Sequence, residues 1–176
     1  PRRWRRPTRT PTVSSCTGSW VDDARASERF SSVRWDHEVP VQMQTLQQLI
    51  DTHGVPSFCK IDIEGGEEAA LRGLHTPLAA LSFECVLPMS DRAARCIDTI
   101  GGLGSYEFRY SQLETMRWVN ASWLQGEAMK EFLASLPRDS PAGDVYARHL
   151  AWVKIRREDK AGREMDRRLY EARRRR

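Results

Sequence analysis

The sequence predicts a mixed α/β domain on an open, mostly parallel sheet, with an antiparallel element at its C-terminal side. Three observations carry this. Strand-like runs alternate with helical runs of roughly ten to fifteen residues, the pattern of βαβ units. The run LAALSFECVL (78–87) is apolar almost throughout, as a strand buried on both faces would be. The last extended runs, YEFRYS, TMRWV and GDVYAR, lie closer together, as a hairpin-like finish requires.

The elements follow in order. PRRWRRPTRTPT has three prolines among charges and no periodicity, so residues 1–13 read as a basic disordered arm. The stretch that follows, to Trp35, is irregular with room for a helical turn. In EVPVQMQ, Val39, Val41 and Met43 alternate with Pro40, Gln42 and Gln44, which gives a half-buried strand near an edge. TLQQLIDTHG places Leu46, Leu49 and Ile50 on one helical stripe, with Thr45 as N-cap and Gly54 as stop. SFCKIDI is the next strand, ending at Ile63, and GGEEAALRGL the next helix, with Glu67 and Glu68 in its first turn. SDRAARCIDTIGGLG forms a helix capped by Ser90, and GEAMKEFLASL one with Met129, Phe132, Leu133 and Leu136 on a single face. From about residue 149 the chain is a charged tail, helical or disordered, without an apolar stripe.

The chain has 176 residues, 40% hydrophobic and 30% charged, which fits one globular domain with a real core. No apolar run approaches the ~18 residues of a membrane span, and the Arg-rich start lacks the apolar centre of a signal peptide. Cys16, Cys59, Cys85 and Cys96 show no metal-binding spacing and read as small buried hydrophobes in a reducing, cytoplasmic setting. The total charge is +4, with five arginines and no acids in residues 1–10, and eleven Lys/Arg against five Asp/Glu in 152–176. The body between them is therefore net negative by seven, and the basic character belongs to the ends.

One strand does not read as core. CKIDIEGGEE carries Lys60, Asp62 and Glu64 at every second position before a glycine pair. Burying unpaired carboxylates costs several kcal/mol or shifts their pKa, so these groups either compensate one another or face a cleft. In open α/β sheets ligands bind outside the carboxyl ends of the strands, where Asp62 and Glu64 fall. Glu84, near the carboxyl end of the next strand, repeats the pattern. An ion-paired Lys60/Asp62 above an acid-rich helix start is an equally good account of the spacing, and Glu67 and Glu68 singly read as surface residues complementing the helix dipole. No phosphate-binding glycine loop of GxGxxG or GxxxxGK[ST] type is present.

VPVQMQTLQQLIDTHGVPSFCKIDIEGGEEAALRGL, followed by LSFE and GDVYAR, resembles the C-terminal half of an FkbM-type methyltransferase, over residues 14–148. The resemblance implies a Rossmann-like sheet and a methyltransferase that uses S-adenosylmethionine to methylate hydroxyls of sugars, lipids or secondary metabolites. It places Asp62, Glu64 and Glu67 at the active-site edge, with Lys60, Gly65 and Glu84 beside them. Asp62 or Glu64 would accept the proton of the acceptor hydroxyl, with no metal ligand set assigned. The sequence departs from the family at Gln47, where a TLD aspartate is expected. It also contains no D-x-G-x-N-x-G cofactor loop, which suggests a chain lacking the N-terminal strands and leaves the cofactor residues unassigned.

The competing reading is a non-catalytic remnant or binding module that keeps the C-terminal half of the fold. Arg-rich ends with Trp4 also suit non-specific binding to a phosphate backbone. The acidic body and the absence of nucleic-acid-binding signatures rank that reading last. The implied partner is a small-molecule or glycan acceptor; no oligomeric state follows from the sequence.

Overall fold

A computed structural model describes residues 2–6, 15, 17–26, 37–86, 90–113, 115, 117–137, 139–155, 158 and 160. The elements run β1 (Arg2–Arg6), α1 (Gly18–Ala26), β2 (His37–Val41), α2 (Leu46–His53), β3 (Cys59–Ile61) and α3 (Glu67–Arg72), then β4 (Ala80–Cys85), α4 (Ser90–Leu103), β5 (Tyr106–Gln112), α5 (Gly126–Ser135) and β6 (Gly143–His149). The main sheet has the order β3-β4-β6-β5. β3 and β4 pair in parallel, whereas β6 is antiparallel to both β4 and β5.

The expected mostly parallel sheet is therefore corrected: two of its three ladders are antiparallel. The cause is one strand. β3, β4 and β5 run in the same direction, and the reversed β6 is inserted between β4 and β5 instead of closing the sheet at its edge. The helical link β4–α4–β5 still joins co-directional strands, as the alternation of elements implied. The segment after β5 folds back onto its outer edge, with Leu124 exchanging backbone hydrogen bonds with Phe108 and the Val119 N–H donating to the Tyr110 carbonyl. Val119 belongs to the TMRWV stretch of the sequence, and Leu124 follows it.

Strand alternation sorts the sheet into two unlike faces. Cys59, Leu81, Ala147 and Phe108 form one cross-strand row and Ile61, Phe83, Val145 and Tyr110 the next. These rows carry the core, closed by Leu71 of α3, Ala93, Cys96, Ile97 and Ile100 of α4, and Met129 and Leu133 of α5. The opposite face holds the rows Lys60–Ser82–Tyr146–Arg109 and Glu84–Asp144–Ser111. Leu81, Ser82 and Phe83 are each fully buried, so β4 is covered on both faces as its composition suggested. Its second face is polar, however, not apolar.

The N-terminal expectations divide. Thr45 caps α2 through a capping box: its hydroxyl accepts the Gln48 N–H, and the Gln48 side chain accepts the Thr45 N–H. Gly54 ends the helix at φ 88°, a conformation that favours glycine. Thr45→Ala is expected to cost about 1 kcal/mol in a urea titration, the usual worth of such a cap. Arg2–Arg6, read as part of a disordered arm, instead pairs antiparallel with β2. Pairing lets the two segments satisfy each other's backbone groups, and this outweighs the local proline signal. The Ser90 side chain and the tail beyond residue 160 lie outside the described residues.

Candidate functional site

The chain leaves β3 at Ile61, two residues earlier than the sequence suggested, and turns through residues 62–66 into α3. Glu64 sits at φ 52° and Gly65 at φ 89°. A non-glycine residue in the left-handed region costs roughly 1–2 kcal/mol, so something must hold it there. Glu67 does so. Its Oε1 accepts the backbone N–H groups of Ile63 at 3.0 Å and Gly65 at 3.3 Å, and the Ser15 hydroxyl donates to the Glu64 carbonyl at 2.6 Å. Glu67 is 7% exposed, which corrects its reading as a surface dipole residue. Burial raises its pKa above the ordinary carboxylate value, partly offset by the backbone N–H donors, with Asp62 adding to the rise.

The fixed turn delivers carboxylates to one place. Asp62, Glu64 and Glu84 each bring an oxygen to within 4.8 Å of the others, at the carboxyl ends of the parallel pair β3 and β4. Lys60 Nζ lies 3.3 Å from Asp62 and 3.6 Å from Asp144. Desolvation pulls the Lys60 pKa down, but Asp144 and Asp62 more than offset it and the net shift is upward. Lys60, Asp62, Glu84, Leu113, Gly143 and Asp144 line a cleft of about 400 Å³. Gly65, Glu67 and Glu84 line a smaller hollow on the other side of the turn. Every residue assigned to the site from sequence therefore lies at or under this turn. The sequence reading assigned no metal ligands; the geometry adds Glu84 to the pair Asp62 and Glu64, and three oxygens at this spacing are the donor type a hard divalent cation takes.

Asp144 was not foreseen. It is buried at 7% exposure and stands opposite Glu84 in the β4–β6 register. Because β6 runs backwards, its first residues reach the end of the sheet where β3 and β4 finish. The signal available in sequence was an acid opening an otherwise apolar strand, GDVYAR.

Residues 10–89 match the methyltransferase FkbM domain. That stretch contains the turn and both acids Asp62 and Glu64, and it bears out the resemblance to that family. No curated protein matches the chain. Within the FkbM segment, the departure at Gln47 acquires a physical account. Its Oε1 accepts the backbone N–H groups of His75 and Thr76, both at 3.0 Å, and its Nε2 donates to Asp51 and to the Thr76 hydroxyl. An aspartate would be shorter and could not donate, so this position uses glutamine to tie α2 to the loop before β4.

The described residues supply no glycine-rich loop of the kind that would cradle S-adenosylmethionine. Among the described residues, Gly65 is the one positive-φ glycine leading into a helix, and the amides of its turn already donate to Glu67. No described segment supplies a second such loop. The thiols are structural: burial raises Cys59 and pushes Cys85 and Cys96 up to about 12, and all three are free. Cys16 lies outside the described residues. Among those residues no helix is long and apolar enough to cross a membrane.

Proposed function

We propose that this chain carries the acceptor-side carboxylates of an S-adenosylmethionine-dependent O-methyltransferase on a Rossmann-like sheet, acting in the cytoplasm on a hydroxyl of a small molecule or glycan. The observation that carries the reading is the convergence of Asp62, Glu64 and Glu84 on a rigid turn inside the FkbM segment. A surface ion pair would need neither the left-handed Glu64 nor a buried carboxylate beneath it. In this reading Asp62 or Glu64 accepts the proton of the acceptor hydroxyl as its oxygen becomes nucleophilic, and Lys60 balances the charge that gathers in the cleft. Asp144 holds Lys60 from the far side. The free cysteines Cys59, Cys85 and Cys96 support a reducing compartment.

The test is a chimera joining this chain to the cofactor-binding half of an FkbM methyltransferase, supplied with methyl-labelled S-adenosylmethionine and a panel of hydroxylated acceptors. Label appearing in an ether product supports the reading. A chimera that binds S-adenosylmethionine and transfers nothing supports the alternative, a non-catalytic binding module. The 176-residue chain by itself is expected to bind S-adenosylmethionine weakly or not at all, because its described residues supply no glycine-rich cofactor loop and two amides of the turn already donate to Glu67. Micromolar affinity in calorimetric titration would reveal a cofactor site elsewhere in the chain.

A further inference from the structure

The turn that carries Glu64 has a second side. Ile63 and Gly66 leave it toward a groove of about 700 Å³, separate from the charged cleft and formed between the chain after β2 and the outer face of α3. Its apolar wall is Pro40, Val41, Met43, Ile63, Ala69 and Ala70, and its polar residues are threonines and glutamines. Among the described residues, no charged side chain lines it, in a protein of which 30% is charged. Met43, 48% exposed, lines it. The volume lies within the ~300–1,000 Å³ of small-molecule sites, and such sites are mostly apolar with a few orienting polar groups.

Resting on the methyl-transfer reading above, we propose that this groove holds the uncharged, apolar body of the acceptor, whose hydroxyl reaches around the turn to Asp62 and Glu64. The charge pattern selects the ligand class. A phosphorylated or carboxylated acceptor would find no cation among the described lining residues, and its reacting end would meet the acids Asp62 and Glu64 across the turn. A neutral scaffold loses little water there, and the side chains of Gln42 and Gln44 offer donors and acceptors at the rim. Gly66 sets how closely the groove approaches the turn, since a Cβ there would lie 2.8 Å from the Ile63 side chain.

The experiment uses the uncharged fluorescent dye prodan and its anionic counterpart anilinonaphthalene sulfonate, titrated into the 176-residue chain in about 0.5 M NaCl to screen the basic ends. Prodan should bind with a blue-shifted emission, and the sulfonate at least about ten-fold more weakly. Ala69→Trp fills the groove from an exposed helix position and should weaken prodan by a similar factor without moving the thermal midpoint. Met43→Glu, in an exposed loop, should do the same by introducing charge. Prodan binding that neither variant weakens overturns the proposal, as does equal affinity for the sulfonate. Concentration-dependent self-association abolished by Ala69→Trp also overturns it, because a second copy would then be the occupant. In an active chimera, prodan should raise the acceptor KM and leave kcat unchanged; an unchanged KM places the acceptor elsewhere and sinks the assignment. The dye titrations need no turnover, so an inactive chimera removes the methyl-transfer reading while the groove's ligand class still stands or falls on prodan.

Discussion

Replacing Asp62 by Asn in a chimera competent for methyl transfer is expected to lower turnover about 10²–10⁴-fold, the usual loss when a general base is removed. The fold should survive. Asp62 is exposed and pairs with the half-exposed Lys60 at 3.3 Å, an ion pair worth at most ~1 kcal/mol of stability. Asn keeps the size and the ability to accept a hydrogen bond, so lost turnover reports the charge and the proton-accepting role. Glu64→Gln separates the two candidates: whichever carboxylate accepts the proton shows the larger fall in kcat, and the other changes KM. Glu68→Gln is the control. It lies in the same first turn of α3, pairs with Arg72 and with Arg95, and should change stability by only about 0.3–1 kcal/mol with turnover intact. Near-normal turnover in both Asp62→Asn and Glu64→Gln would make the cluster structural.

The second large effect belongs to Glu67. Glu67→Ala leaves the amides of Ile63 and Gly65 without their acceptor and releases Glu64 from its left-handed conformation. Orphaning two partly buried donors should cost about 2–4 kcal/mol, measured by urea unfolding. Turnover should fall as well, since the carboxylates lose their common frame. Glu67→Gln behaves differently because the amide retains an oxygen. The pH dependence identifies the charge. The Glu67 pKa is raised on folding, so the native state holds its proton longer than the unfolded chain. The carboxyl's contribution to stability is full below the ordinary value of 4.5 and is lost as the pH rises through the raised folded value. Relative to wild type, Glu67→Gln should therefore gain stability across that window. A difference between the two proteins that stays flat with pH would contradict the burial argument.

The site was legible where the chemistry is local. Charges spaced two apart in CKIDIE broke the rule for a core strand, and that conflict led to Asp62 and Glu64 before any geometry was known. Thr45 was legible for the same reason, since a capping box is written within four residues. Glu67 was misjudged because an acid in the first turn of a helix has the same spelling whether it faces solvent or reaches back under the preceding turn. Asp144 was missed because its place depends on where β6 inserts, and strand order is set by partners distant in sequence. The parallel character of the sheet was overstated for that reason too: periodicity gives each strand but not its neighbour.

The insertion of β6 also has a kinetic side. β6 is an interior strand of the sheet, and it follows α4, β5 and α5 in the chain. Until it arrives, β4 and β5 each present an open edge toward the gap between them. Long-range pairings such as Cys85 with Gly143 form slowly, because loop closure must precede any gain from the ladder. Open edges during that interval invite pairing with other chains. The carboxylate cleft is completed in the same event, since Gly143 and Asp144 line it. Gly143 leaves no room for error in the docking: a Cβ there would stand 2.3 Å from the Ser111 carbonyl oxygen. Assembly of this sheet therefore waits on β6, and a ribosome stalled before Gly143 would expose an aggregation-prone, incomplete sheet.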